Sequence, residues 1–356
     1  MKVIRTFACL FTVVAICAGT TAHADLLAIT SGNGHIWTRD HSNLGPDIND
    51  VNFGGGVQVR AALNSLGELG VGTSLNAYAD VRHITNPASD CCGATFGPPP
   101  GVFTAVGVME GDHFALGGNN GQVFVRDRTN LGATAPGVGG DGIVFNSQIN
   151  AIARLSNGHL VIGNSLGQLF VRDKNNIAAV APGADGSDDG LGFGPAITGL
   201  AVDASDNIVI ALDGGHIFTR AWNNISADVS DVNFAISGAS HVAIRSDGNV
   251  ALGFGDGFVD IRNPLNLPGG VGNSANFGSA ITALTVDKND NYIIGDTLGQ
   301  VFVRDAGDVT QTPAGYSGDG INFGESILSL NVVPEPATLL LLGLGLSVLR
   351  IFRRVR

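Results

Sequence analysis

A short segment recurs seven times along this 356-residue chain at intervals of about 44 residues, and that period restricts the fold more than any other feature. Three copies nearly coincide: Gly121-Gln-Val-Phe-Val-Arg-Asp127, Gly167-Gln-Leu-Phe-Val-Arg-Asp173 and Gly299-Gln-Val-Phe-Val-Arg-Asp305. Weaker copies are Gly34-His-Ile-Trp-Thr-Arg-Asp40, Gly215-His-Ile-Phe-Thr-Arg-Ala221, Gly257-Phe-Val-Asp-Ile-Arg-Asn263 and Ala77-Tyr-Ala-Asp-Val-Arg-His83. Their arginines stand at positions 39, 82, 126, 172, 220, 262 and 304. A second landmark keeps step with them: Phe53, Phe96, Phe145, Phe193, Phe234, Phe277 and Phe323, three of them (Phe53, Phe277 and Phe323) inside Asn-Phe-Gly.

Each unit has the pattern of short strands. After the phenylalanine comes a run such as Ile197–Val202 or Ile281–Val286, whose small residues suit a crowded inner strand. Turn dipeptides follow (Asn157-Gly158, Asp247-Gly248, Asp290-Asn291), then a second strand such as His159–Gly163, then the Arg-bearing third strand. The phenylalanine is expected in a short outer strand. Three or four strands per 44 residues describe a propeller blade, whereas a parallel solenoid needs a much shorter period. The chain opens with half a unit, Leu26 to Asp40, and ends with the complementary half, Phe323 and Ile327–Val333. The expectation is therefore an all-β, seven-bladed propeller closed by N- and C-terminal strands, which leaves no long free edge. An open array, or a ring of six or eight blades, is the alternative.

The two ends carry a different kind of signal. Lys2 and Arg5 precede an apolar stretch from Phe7 to Ala18, and Ala22-His23-Ala24 supplies a small-x-small site before Asp25. Residues 1–24 thus read as a secretory signal peptide cleaved between Ala24 and Asp25. At the other end, Pro334-Glu335-Pro336 is followed by a largely apolar, uncharged run of thirteen residues, Ala337 to Leu349, and then by Arg350, Arg353, Arg354 and Arg356. Thirteen residues make roughly 20 Å of helix, short of the ~20 residues of a stable membrane span. The arginine cluster should hold the extreme end in the cytoplasm. Residues 334–356 resemble the PEP-CTERM sorting signal. That resemblance implies handling by an exosortase-type enzyme, a transient inner-membrane anchor formed by this hydrophobic helix, and delivery to the cell surface or extracellular matrix.

Between the signals lies a body of residues 25–333. It holds 13 basic and 30 acidic residues, a formal charge of −17. Nucleic acid and anionic membrane surfaces are thereby disfavoured as partners. Two cysteines remain, the adjacent Cys91 and Cys92, open either to a vicinal disulfide or to two loop thiols.

Candidate chemistry is sparse. Seven arginines on one ring could bind an anionic polymer, but unpaired guanidinium groups 10 Å apart repel by about 1.7 kcal/mol at an effective dielectric near 20. Four of them are directly followed by aspartate (Asp40, Asp127, Asp173, Asp305), so pairing within or between blades is the better account. The aromatic two residues before five of the arginines (Trp37, Phe124, Phe170, Phe218, Phe302) should pack under the arginine stem, on the same strand face. Asp203–Asn207 and Asp287–Asn291 resemble half a calcium loop, but Ile208 and Tyr292 stand where that motif needs glycine, so hairpin turns are expected. No cofactor is expected; a surface calcium ion would have to use these turns or the acidic loop Ala184–Gly190 and its parallels Gly140–Gly142 and Gly318–Gly320. The histidines are scattered, no nucleophile elbow or zinc motif occurs, and Glu68 and Glu110 are the glutamates between Asp25 and Gly324. No catalytic, cofactor or metal residue is assigned. The expectation is a non-enzymatic surface propeller associated with exopolysaccharide or a surface protein. Its rival is a hydrolase or lyase of extracellular polysaccharide, which would show two carboxylates, or a carboxylate and a histidine, in a polar pocket.

Overall fold

The computed structural model describes residues 26–96, 101–184, 189–236 and 241–332. These fold into seven antiparallel sheets. In blade 3 the strands Ile149–Arg154, Leu160–Asn164, Gln168–Asp173 and Asn176–Val180 lie side by side in chain order, from the axis outward. Blades 1, 2, 4, 5 and 6 repeat this meander, with inner strands Val59–Leu63, Phe103–Val108, Ile197–Val202, His241–Ile244 and Ile281–Val286. Neighbouring inner strands touch all the way around, and the last returns to the first.

Blade 7 is the composite that the split unit demands. Its inner strand, Ile327–Val332, pairs with Leu26–Ser31, followed by His35–Asp40 and Asn49–Asn52. The register sets Leu27 opposite Val332, Ile29 opposite Leu330 and Thr30 opposite Ser329. The ring closes, and its blades number seven.

The apolar core divides among seven seams, each shared by two blades. Blades 2 and 3 bury Met109, Val123, Ile149 and Phe170 together, and blades 6 and 7 bury Leu27, Ile29, Ile293 and Ile327. A glycine in the second strand sets the spacing. A Cβ on Gly163 would stand 2.5 Å from Ile197 Cγ2, and one on Gly295 would stand 2.7 Å from Ile327 Cγ2. The isoleucine that opens each of these inner strands is thus seated on the bare backbone of the preceding blade. Gly163→Ala should cost about 1–3 kcal/mol by overpacking. The check is urea unfolding, where the midpoint should fall while the m-value holds; an unchanged midpoint would refute the wedge.

The landmark phenylalanine does not belong to the outer strand; it follows it. In all seven units its backbone N–H donates to the carbonyl of the residue opening the third strand segment of the same blade, as from Phe145 to Gly121 at 2.9 Å and from Phe323 to Gly299 at 2.8 Å. Its ring then crosses to the next blade. Phe145 stacks on Phe170 with centroids 4.7 Å apart, and Phe323 on Trp37 at the same distance. The residue is a joint between blades, anchored to one by its backbone and to the other by its ring.

Candidate binding site in the axial channel

The seven arginines complete this joint. Arg172 lies 5.0 Å from the Phe145 ring centroid and 5.1 Å from that of Phe170, and Arg220 and Arg304 sit likewise between two phenylalanines. Arg39, Arg82, Arg126 and Arg262 cover Phe323, Phe53, Phe96 and Phe234 at 4.8–5.0 Å. A desolvated cation–π contact contributes about 2 kcal/mol, so the series is interblade adhesive. It is not an anion-binding ring.

The aspartates directly after the arginines are not their counter-ions. Adjacent residues of a strand point to opposite faces. Asp40, Asp127, Asp173 and Asp305 instead accept backbone N–H bonds two residues on, from Ser42, Thr129, Asn175 and Gly307 at 2.8–3.0 Å. Arg39, Arg82, Arg126, Arg220, Arg262 and Arg304 pair with Asp47, Asp80, Asp141, Asp228, Asp260 and Asp319, respectively. Two of the acidic loops thereby acquire a role. Asp141 takes Arg126 at 2.9 Å, the Val125 N–H and the Thr134 hydroxyl, and Asp319 takes Arg304, the Val303 N–H and the Thr312 hydroxyl. Residues 185–188 of the third loop lie outside the described residues. Asp203 and Asp287 cap hairpin turns, each accepting two backbone N–H bonds at 2.8 Å. No cluster of three metal-ligating side chains occurs among the described residues. Cys91 and Cys92 form a vicinal disulfide.

Carboxylate and histidine meet closely in a clasp between blades 6 and 7. His41 Nε2 lies 2.9 Å from the Tyr316 hydroxyl and 3.4 Å from Asp287, and Tyr316 donates to Asp287 at 2.7 Å. Burial would raise the Asp287 pKa, but hydrogen bonds from His41, Asn291 and Tyr316 outweigh it and hold the carboxyl at about 2. Burial and that carboxylate push Tyr316 up to about 12. Such a group is a fixed anion, fully coordinated by the protein. The glutamates are also committed: Glu68 to Arg128, Glu110 to Lys174, and Glu325 to Ser31 and Asn33.

A sizeable open cavity lies on the axis. Its volume is about 330 Å³ and it is lined by residues of every inner strand. The second position of the strand sets its chemistry: Thr104, Asn150, Thr198, Thr282 and Leu328, with a bulge in the ladder at each. Blade 1 departs from this pattern by placing Arg60 there, in a regular ladder without a bulge. Blade 5 adds His241, opposite Gly253. Burial, then the Arg60 charge, depresses His241 to about 4, so its ring is neutral at pH 7. Burial lowers Arg60 too. Its one hydrogen bond goes to the Leu328 carbonyl, long at 3.4 Å, and among the described lining residues there is no carboxylate.

Neither Arg60 nor His241 is marked out by residue type alone. The signal available was positional: Arg60 is a charge at the place in the repeat where four other units carry threonine or asparagine. Ala22, Ala24 and Asp25 of the cleavage site, and Pro334, Glu335, Pro336, Arg350, Arg353 and Arg354 of the sorting signal, lie outside the described residues, as do the boundaries at 24 and 333. No helix among the described residues is long and apolar enough to cross a membrane.

The architecture defines a seven-bladed β-propeller, and known proteins agree on the fold. The computationally designed Ika8 protein matches with a TM-score of 0.59 and 18% identity, over 85% of this chain and 86% of that one. The Dos1 propeller matches with a TM-score of 0.55 and 15% identity, over 83% and 80%. At such identities the likeness is one of fold. No curated protein matches the chain. The PEP-CTERM protein-sorting motif matches residues 332–356. This motif implies export, a membrane-anchored precursor, processing by an exosortase and sorting to the cell surface.

Proposed function

We propose that the protein is a non-enzymatic binding or structural propeller of the cell surface, associated with exopolysaccharide or the biofilm matrix. The observation that carries this reading is the sorting motif joined to a propeller whose axial cavity has no carboxylate among its described lining residues. Hydrolysis of a glycosidic bond ordinarily uses two carboxyl groups flanking it, and the glutamates here are spent on contacts between blades. A surface protein is the second partner class consistent with this address. Calcium has no support from the Asp141 and Asp319 loops, whose oxygens already serve arginine and backbone donors.

The test is retention of the full-length chain, in detergent, on immobilised neutral and acidic polysaccharides, with assays for new reducing ends and unsaturated sugars. Reversible retention without cleavage is expected. Released reducing ends or unsaturated products would move the protein to the hydrolase or lyase class, and loss of retention on every polysaccharide would remove the glycan association.

A further inference from the structure

We infer that the axial channel is a site for a hydroxylated carboxylate, the chemistry of a uronic acid, with Arg60 as its counter-ion; this deepens the polysaccharide reading above and rests on it for the ligand's source. Three observations converge. First, Arg60 stands half-buried in an open axial channel without an acidic partner among the described lining residues, in a chain where arginines of the third strands are matched to aspartates. A buried charge without a counter-ion is costly, and an incoming carboxylate relieves that cost with charge-assisted, bidentate hydrogen bonds. Second, the neutral lining favours hydroxyl groups. Thr104 spends its proton on the Ile149 carbonyl at 2.5 Å and Thr282 spends its proton on that of Gly295 at 3.4 Å, so the hydroxyls of these lining residues are left as acceptors. Acceptors around one fixed cation select a molecule bearing both a carboxylate and donating hydroxyls. Third, the volume of about 330 Å³ is at the lower end of small-molecule sites, enough for one sugar-sized unit.

The strongly acidic exterior repels a long polyanion. The channel therefore takes a single sugar acid or the terminal unit of a chain, rather than a polymer laid across the surface.

His241 couples this site to protons. The groups packed around it are Thr198, Gly199 and Leu200 of blade 4, Thr282, Ala283 and Leu284 of blade 6, and the second strand Val250–Gly253 of its own blade. None of these titrates, so Arg60 is the charge it senses. A bound carboxylate offsets the Arg60 charge and raises the His241 pKa above its unbound value. Binding then takes up a proton, and affinity rises as pH falls toward about 4.

The experiment is isothermal titration calorimetry of the full-length chain with glucuronate, glucose and a polyuronate, at pH 7.5 and pH 5. Glucuronate should bind and glucose should not, with affinity at least threefold higher at pH 5. Arg60→Met should lower glucuronate affinity tenfold or more, while its thermal midpoint stays level or rises because a half-buried charge without a counter-ion has gone; a structural arginine would lower that midpoint. Should Arg60→Met fail to fold, Arg60→Lys, which keeps the charge and loses the fork, carries the same comparison. His241→Asn should keep binding at pH 7.5 and lose the gain at pH 5. Glucuronate that fails to bind, or binds Arg60→Met equally well, overturns the channel site, and retention of neutral polysaccharide would then leave the broader glycan reading standing. Glucuronate binding with no polyuronate binding keeps the site but assigns it to a free sugar acid and removes the polysaccharide as its source.

Discussion

Ending the chain at Gly324 is expected to abolish cooperative folding, whereas ending it at Val333 is expected to leave the midpoint of unfolding within about 1 kcal/mol of the full chain. The lost segment, Ile327–Val332, is the inner strand of blade 7 and forms part of two seams. Ile327 is fully buried, Leu330 nearly so, and Leu26–Ser31 would become an unpaired edge although every residue in it is buried. Burying a large aliphatic side chain contributes about 1.5–3 kcal/mol. Removing the whole strand therefore removes a sum comparable to the 5–15 kcal/mol that holds a typical domain. Truncation alone could fail for trivial reasons, so a permuted chain supplies the control. Val332 lies opposite Leu27, which lets a tight turn join residues 325–333 to the front of Leu26. With the new terminus at Gly324, blade 7 becomes a continuous meander like its neighbours. Recovery of the far-ultraviolet spectrum and of the urea midpoint to within about 2 kcal/mol is expected. A truncated chain that unfolds with the parent's midpoint and m-value would refute closure as the source of stability.

The parts of the fold that were legible in the sequence are those that repeat. A period near 44, two markers in step and a split unit at the ends sufficed for blade count and closure, because each blade solves the same packing problem with the same residues. Contacts that cross a seam were not legible. Arg39 followed by Asp40 suggests a pair by adjacency, yet strand alternation sends the two side chains to opposite faces and Arg39 finds Asp47 across the next turn. The glycine at 163 reads as a strand residue of no special duty until Ile197, thirty-four residues on, is seen resting on it. The phenylalanine suggested an outer strand because it follows polar loop residues, when its work is to bridge two blades. Arg60 was hidden for a related reason. The bulges at Thr104, Asn150, Thr198 and Thr282 shift the inner-strand register, so a single arginine in blade 1 looks like an ordinary exposed residue until the seven strands are laid around one axis.

Loss of the carboxylate in Asp287→Ala should cost about 3–5 kcal/mol at neutral pH, which makes the clasp between blades 6 and 7 a sensitive polar site of the ring. Asp287 is buried and accepts bonds from the Asn289 and Asn291 backbones, the Asn291 amide and the Tyr316 hydroxyl, with His41 at 3.4 Å. Removing it takes a shared acceptor from five donors, of which His41, also in contact with Tyr316, belongs to the N-terminal half of blade 7. The clasp therefore fastens that half of the closing blade to blade 6 through side chains, alongside the sheet pairing with Ile327–Val332. The pH dependence carries a definite sign. The folded pKa of about 2 lies below the ordinary 3.8, so the stabilisation is complete above 3.8 and is lost as pH falls toward 2. A shift of that size corresponds to roughly 2 kcal/mol. Urea unfolding of parent and Asp287→Asn chains at pH 7 and pH 2.5 separates this from every other titrating group, since only the difference between the two chains is used. The gap should narrow by about 2 kcal/mol on acidification. Tyr316→Phe should cost less, because its partners can be resolvated at the half-buried hydroxyl, and it should be non-additive with Asp287→Ala because both report the same contact. A loss below 1 kcal/mol for Asp287→Ala, or a gap that does not change with pH, would show that the strand pairing closes the ring unaided.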